Sequence, residues 1–278
     1  MHRRVLEEVW SPTQHLTLWL GAWLSGHVGY DHLTEAFETL GAPGPHPGTL
    51  ELIDAKVPEV VDLEAPLGRA ELLRLLRAVT EPAEAAAPER PLLRLVLSGA
   101  GDPPTLPANS PAAAATRAAG SAIVVADTEW MYHHVLVPAQ PAWQWYTIEG
   151  PLPEPAHLSP GEADSQLAEA ARNAAARIAA LSAGAAGIRE GAAVDPRLAV
   201  GLLNDHLDMA WLPEVTPRRA LGVLARADRL AALLEVAQGD RAGHGGSDYD
   251  PELIPLWRAI RQARISAVDY AIRSFMDF

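Results

Sequence analysis

Short connections between apolar segments in the middle of the chain leave few folds open to it. Residues 122–126, 131–137 and 143–148 are rich in the β-branched and aromatic residues that favour strands. The segments Asp127–Trp130 and Pro138–Ala142 connect them, and neither is long enough for the crossover of about a dozen residues that parallel neighbours require. The three segments are therefore predicted to form an antiparallel meander.

Candidate strands and helices also lie before this meander. Residues 92–97 form a fourth apolar segment, and residues 51–63 have the valines of a strand whose proline would confine it to a sheet edge. Residues 69–79 carry a wide apolar stripe at helical spacing, which predicts a helix followed by a proline-bounded linker over 82–91. A shorter helix is predicted over 31–40, with its first residue, an aspartate, as the N-cap.

After the meander the pattern becomes helical. A capping residue followed directly by proline is a typical helix start, because proline suits the first helical turn and lacks the N–H that would otherwise be unsatisfied there. The sequence predicts an α+β fold, in which a small antiparallel sheet of three to five strands is flanked by helices and followed by a helical C-terminal half. The predicted division is an α+β domain over residues 1–155 and a helical bundle over 156–278, which either stands apart or shares one core with the first. One helix start of this kind lies before the meander, at Ser110-Pro111, and four lie after it, at Ser159-Pro160, Asp195-Pro196, Thr216-Pro217 and Asp250-Pro251.

Charge and composition exclude several classes of function. The formal net charge is −13 and the pI is about 5.2, so the chain repels nucleic-acid phosphates and gains no counterion release. The sequence has no cysteine, which excludes disulfides, thiolate nucleophiles and cysteine-ligated metals. No apolar run approaches the ~20 residues of a membrane span, and Glu7 and Glu8 stand where the apolar core of a signal peptide would begin. A cytoplasmic protein without nucleic-acid or membrane partners is predicted.

The basic residues are almost all arginines. Lys56 is the one lysine among 22 basic residues, and the other 21 are arginines. We interpret this bias as codon usage in a high-GC bacterium. Arginine is the better bidentate partner of a carboxylate, so a pocket for an anion is one hypothesis, but the sequence singles out no arginine for it.

The most suggestive polar segment runs from Asp127 to His134. A strand alternates its faces, so His133 and His134 point in opposite directions and only one of them can serve a given site. Either could join Asp127 or Glu129 as a metal ligand or as a general base. The competing interpretation is a polar turn, with Tyr132 and one histidine covering the sheet.

Two other groups of histidines and acids are interpreted as structural. On a predicted helix His206 lies roughly opposite Asn204 and Asp208, so His206 and Asp208 become metal ligands only if another segment joins them. His27 and Asp31 have the i, i+4 spacing of helical metal sites, but glycines interrupt any helix through them, which favours roles in a loop or cap.

The last predicted helix has a wider apolar arc than a surface helix that buries only one face requires. It is expected either to be central to the bundle or to be shared with a partner. The residues predicted for such an interface are Trp257, Ile260, Val268, Ile272 and Phe275.

No motif in the sequence specifies a reaction. The glycines after residue 97 lack the dinucleotide-binding pattern, and neither a phosphate-binding loop nor a nucleophile elbow is present. The leading prediction is a non-catalytic protein without cofactors that binds another protein or a small ligand and forms a homo-oligomer. The alternative is a metal-dependent or general-base hydrolase that uses the segment from Asp127 to His134.

Overall fold

The structure, a computed structural model, describes residues 11–40, 50–57, 67–86, 91–127, 132–139, 142–184, 212–242 and 253–277. These residues form seven helices and five strands, which confirms the predicted α+β class. Among them, none of the helices has the length and apolar character needed to cross a lipid bilayer. In chain order the elements are α1 (Pro12–Leu24), α2 (Tyr30–Thr39), β1 (Leu50–Leu52), α3 (Arg69–Ala86), β2 (Leu93–Leu97), α4 (Pro111–Ala119), β3 (Ser121–Ala126), β4 (Tyr132–Val137), β5 (Trp143–Glu149), α5 (Pro160–Gly184), α6 (Arg218–Ala242) and α7 (Ile254–Met276).

The five strands form one sheet in the order β1-β5-β4-β3-β2. Strands β2 to β5 pair antiparallel with their neighbours in sequence, so the predicted meander is confirmed. At the edge, β1 pairs parallel with β5 through Leu50–Trp143 and Leu52–Trp145. The sheet is therefore mixed, because the long segment between β1 and β5 leaves room for a parallel return.

Helices cover both faces of the sheet. One face is built from alternate residues such as Val96, Val124 and Val135, which form a buried cluster with Ala112 and Ala113 of α4. On the other face α1 and α3 contact β3, and the Thr13 hydroxyl of α1 lies 2.8 Å from the Ser121 hydroxyl of β3. Because both faces are covered, the strands are apolar over most of their length instead of alternating with polar residues.

Two of the predicted helix starts are confirmed in detail. The Ser110 hydroxyl accepts a hydrogen bond of 3.1 Å from the Ala113 N–H, with Pro111 directly after the cap. At the start of α5 the Glu162 carboxylate accepts a hydrogen bond of 2.9 Å from the Ser159 N–H, while the Ser159 hydroxyl faces the Glu162 N–H. This reciprocal pair satisfies two N–H groups that the helix itself cannot.

Two local predictions were wrong, and a third is tested only in part. The helix α2 begins at Tyr30, and the residue before it, Gly29, is extended and provides no side-chain cap. The predicted N-cap Asp31 therefore lies in the first turn, where its negative charge still interacts favourably with the helix N-terminus. The predicted linker over 82–91 is helical to residue 86, because proline adopts a helical φ and the alanines around it favour helix. Of the edge strand predicted over 51–63, the described residues form Leu50–Leu52 at the edge of the sheet, Val57 lies outside that strand, and residues 58–63 lie outside the described part of the chain.

The chain divides into two compact units. One contains the sheet and includes the described residues among Pro12–His157, Trp211–Pro217 and Val268–Phe278. The other contains Ser11 and the described residues among Leu158–Ala210 and Arg218–Ala267. In the second unit α5 contacts α6, and the Arg226 guanidinium binds the Asp164 carboxylate at 2.7 Å.

Candidate functional site

The predicted residues Asp127, His133 and His134 lie where β3 ends and β4 begins. His133 pairs with Ala126 and with Ile148, whereas His134 pairs with Val125 and with Thr147. Neighbouring positions of a strand face opposite sides, so the two imidazoles lie on different faces of the sheet, as the sequence predicts. Glu129, the other predicted acid, lies outside the described residues.

His134 is held inside the sheet unit by two neighbours on β5. It is 2% exposed, and its Nδ1 atom lies 3.2 Å from both the Trp145 Nε1 and the Thr147 Oγ1. An indole N–H can only donate, so Nδ1 accepts a hydrogen bond and the neutral ring carries its proton on Nε2. The ring centroids of His134 and Trp145 are 5.2 Å apart.

The same environment keeps His134 neutral. Burial lowers its pKa to about 4, and the nearby charge of Asp127 opposes this shift while His133 adds to it. Desolvation disfavours the imidazolium, and here it outweighs the attraction of the aspartate. At neutral pH His134 is therefore a weak base, far from the pKa near 7 that general-base catalysis favours.

An exposed polar cluster lies at the same end of β4 and β5. The Lys56 ammonium donates hydrogen bonds to the Tyr132 hydroxyl at 3.2 Å and to the Glu149 carboxylate at 3.1 Å. It also lies 4.4 Å from the centroid of the Tyr132 ring. The hydrogen bonds to Tyr132 and then to Glu149 raise the pKa of Lys56, so this lysine is a cation and a poor nucleophile.

Thr147 connects the exposed cluster with the buried histidine. Its hydroxyl oxygen accepts a hydrogen bond of 2.9 Å from the Lys56 backbone N–H and lies 3.2 Å from His134 Nδ1. The contacts therefore continue from the surface at Lys56 to the buried indole of Trp145. Sequence reasoning missed Lys56, Thr147 and Glu149, although the single lysine in an arginine-rich chain is an identifiable signal.

No metal centre is found in the part of the chain that the structure describes. There, no group of three or more histidine, aspartate or glutamate side chains is arranged to hold an ion. The candidate ligands His206 and Asp208 lie outside the described residues.

The N-terminal histidines and acids occupy structural positions. His27 follows α1, and its Nε2 lies 2.8 Å from the carbonyl oxygen of Phe275 near the end of α7. A neutral or charged imidazole donates this hydrogen bond, since a carbonyl only accepts. Asp31 is exposed in the first turn of α2. His27 thus has a capping role at the C-terminus of another helix.

The five residues predicted for an interface are buried within the single chain. Their exposed fractions range from 0% for Ile260 and Val268 to 7% for Trp257, with Ile272 at 1% and Phe275 at 2%. These values favour the alternative in which the last helix is central to its surroundings. An interface formed by these residues stays a prediction.

Two family models together match most of the chain. Residues 13–158 match the model described as Rv1486c-like protein, N-terminal domain, and residues 161–265 match the model described as Rv1486c-like protein, C-terminal domain. No solved structure matches the chain significantly.

Similar full-length proteins occur in mycobacteria. The uncharacterized protein Rv1486c of Mycobacterium tuberculosis (strain ATCC 25618 / H37Rv) is 27% identical in an alignment 299 residues long. This alignment covers 96% of this chain and 99% of the relative. The uncharacterized protein MT1533 of strain CDC 1551 / Oshkosh has the same identity and coverage. The uncharacterized protein ML1804 of Mycobacterium leprae (strain TN) is 25% identical over 303 residues, with coverage of 96% and 99%.

Proposed function

The chain belongs to the Rv1486c-like family, and we propose that it acts as a non-catalytic cytoplasmic protein that binds a small ligand or another protein. The observation that carries this proposal is the position of His134. Of the three predicted catalytic residues that the structure describes, this histidine is the most buried, and its Nδ1 accepts a hydrogen bond from Trp145. A side chain committed to the interior in this way stabilises the sheet instead of reacting with a substrate.

The exposed neighbours of His134 fit binding better than catalysis. Lys56 and Glu149 are 59% and 64% exposed and form an ion pair, so neither has the sheltered position of an acid–base catalyst. Charged and aromatic side chains held in fixed geometry at the end of a sheet are typical of recognition surfaces. This supports a surface that positions a partner without transforming it.

The competing hypothesis is the hydrolase that would use the segment from Asp127 to His134. Metal analysis of the purified protein discriminates between the two. We expect less than one equivalent of zinc, manganese or iron per chain, unchanged in His133→Ala. One equivalent of metal that disappears in His133→Ala would overturn the proposal, because a metal held by this segment implies the hydrolytic alternative.

Binding itself is tested by a thermal-shift screen of small metabolites, followed by mass spectrometry of the ligand recovered from the protein. A ligand that binds only the native state stabilises it by RT ln(1 + [L]/Kd), so the melting temperature rises with the logarithm of the ligand concentration once that concentration exceeds Kd. The expected result is a stabilising ligand that is recovered chemically unchanged. Conversion of that ligand by the protein would contradict the proposal.

The predicted homo-oligomer is part of the proposal and is tested separately. Its support in the sequence was the wide apolar arc of the last helix, and burial within one chain already accounts for that arc. Sedimentation velocity at micromolar concentration measures the mass. A single species of 29.7 kDa would end this part of the proposal, and a species of twice that mass would support it.

A further inference from the structure

Two arginines lie partly or wholly inside the chain and have opposite surroundings. The Arg264 side chain is 4% exposed and donates two hydrogen bonds, of 3.0 Å from Nε and 2.6 Å from Nη2, to the Asp228 carboxylate. This arrangement is the usual one, since a buried guanidinium is stabilised by a carboxylate that accepts from its fork. For Arg94 on β2, no carboxylate in the described segments accepts from the guanidinium in this way.

Among the described residues, the hydrogen bonds of the Arg94 guanidinium go to backbone oxygen atoms. Its Nη1 and Nη2 lie 3.4 Å from the carbonyl oxygens of Pro153 and Thr105, at the long end of hydrogen bonding. Its Nε has no exposed surface and, within the described segments, no hydrogen-bond partner. Burial lowers the pKa of Arg94 below its usual value. The cation is thus desolvated, and no contact in the described part of the chain compensates fully for the lost water.

The nearby acids act on Arg94 without contacting it. Asp269 and Glu154 raise its pKa through space. The Asp269 carboxylate is already engaged, since it accepts a hydrogen bond of 2.9 Å from Arg273 and lies 3.7 Å from the His157 ring. Among the described residues, no carboxylate is thus left to pair directly with the Arg94 fork, and the through-space charges of Asp269 and Glu154 favour a ligand with one negative charge over a ligand with two.

We propose that Arg94 anchors a site for a small monocarboxylate, whose two oxygens would replace the long bonds to the carbonyls of Thr105 and Pro153. A guanidinium and a carboxylate match in a bidentate pair of parallel hydrogen bonds. This inference rests on the proposed binding function and gives it a ligand class.

The test uses the full-length protein and sodium butyrate as the probe. Nitrogen-15 labelling of arginine allows the Nε–H resonance of Arg94 to be followed by NMR, and the resonance is assigned by its loss in Arg94→Lys. We expect a saturable shift with a Kd in the millimolar range, roughly what a ligand of six heavy atoms achieves. Because these variants lack the Arg94 resonance, their affinity is measured on the butyrate signals by ligand-observed NMR, and it should fall about tenfold to a hundredfold in Arg94→Lys and Arg94→Gln, which lose the fork.

A matched control comes from α3. Arg74 is 59% exposed and binds Glu71 at 2.6 Å, so Arg74→Gln removes an arginine of the same charge away from the site and should bind butyrate as the wild type does. Sodium phosphate at equal ionic strength should shift the Arg94 resonance less than butyrate. An Arg94 resonance that stays fixed through the titration would overturn the inference, and so would phosphate binding more tightly than butyrate. Even if Arg94→Gln fails to fold, the wild-type titration decides the matter.

The outcomes separate this inference from the proposed function. If the Arg94 resonance is insensitive to butyrate while the thermal-shift screen finds another ligand, the carboxylate site is wrong and the binding function stands. If a bound carboxylate is chemically converted, the site stands and the non-catalytic function is wrong.

Discussion

The imidazole of His27 and the carbonyl oxygen of Phe275 are 248 positions apart in the chain and 2.8 Å apart in space. The two rings also meet edge to face, with centroids 5.9 Å apart. The last turn of a helix leaves carbonyl oxygens without partners inside the helix, and the His27 N–H satisfies one of them. This contact ties the C-terminal end of α7 to the segment that follows α1.

His27→Ala should therefore loosen the end of α7. We expect a loss of about 1 kcal/mol in the free energy of unfolding, the usual size of one such hydrogen bond. Amide hydrogen exchange near residues 272–276 should become faster, while exchange in the sheet stays unchanged. His32→Ala is the control, since His32 is exposed, and it should have neither effect. Equal exchange in both variants would show that the bond does not hold the helix end.

A second contact brings α1 and α7 together at Gly21. A Cβ atom placed on Gly21 would clash with the Cδ1 of Ile272 and would lie 3.5 Å from the Phe275 ring. Gly21→Ala should therefore destabilise the protein by about 1–3 kcal/mol, as overpacking does. The double variant Gly21→Ala with Ile272→Val should recover part of this loss in denaturant unfolding, because the branched side chain is shortened.

Gly222 offers a matched control for this substitution. It lies in α6 with nothing within 4 Å of an added Cβ. Gly222→Ala should stabilise the protein by about 0.5–1 kcal/mol, since alanine favours the helix and restricts the unfolded chain. If both alanine variants were stabilising, the close approach of Ile272 to Gly21 would be wrong.

The buried His134 should make stability depend on pH. Its pKa is lowered to about 4 in the folded protein, so between pH 6.5 and 4 the unfolded chain binds a proton that the native state does not. The free energy of unfolding should consequently fall as the pH drops through this window, by about 3 kcal/mol in total. Above pH 6.5 the histidine has no such effect.

Denaturant unfolding at a series of pH values measures this dependence. His134→Gln lacks the titrating group and should lose less stability than the wild type between pH 6.5 and 4. It should be less stable at pH 7.5, because the shape and the acceptor for Trp145 change. Parallel pH curves for the two proteins would mean that His134 is not the buried neutral base described above.

Sequence reasoning succeeded where a property is local. The short connections around β4 determined the meander, and Ser110 and Ser159 marked helix starts through residues three positions away. It failed where partners are distant in the chain. The cluster at Lys56 depends on Tyr132 and Glu149, which are 76 and 93 positions away, and no local pattern encodes such a meeting. The alternation of His133 and His134 was predictable, but the depth at which His134 is buried was not.

Lys56 allows a direct test of its cluster because it is the one lysine in the sequence. Its raised pKa leaves less free amine at pH 8–9, so acylation of Lys56 should be slow. Glu149→Gln and Tyr132→Phe each remove one of the hydrogen bonds that raise the pKa, and both should speed acylation. Mass spectrometry of the peptide containing Lys56 measures the rate. Unchanged rates in both variants would mean that these contacts do not persist in solution.

The ion pairs on α6 differ in burial, and the free energy lost on their removal should differ accordingly. Arg264 and Asp228 have side chains that are 4% and 14% exposed, whereas Arg226 and Asp164 are 49% and 35% exposed. Asp228→Ala leaves a buried guanidinium without the carboxylate that accepts two of its hydrogen bonds, and it should cost about 3 kcal/mol or more. Asp164→Ala should cost less than about 1 kcal/mol, because water screens an exposed pair and solvates the arginine that remains. Denaturant unfolding of both variants at pH 7 measures the difference. Similar losses of stability in the two variants would mean that water reaches Arg264 and Asp228. In that case, replacing both of these residues with apolar residues should not recover the stability lost in Asp228→Ala.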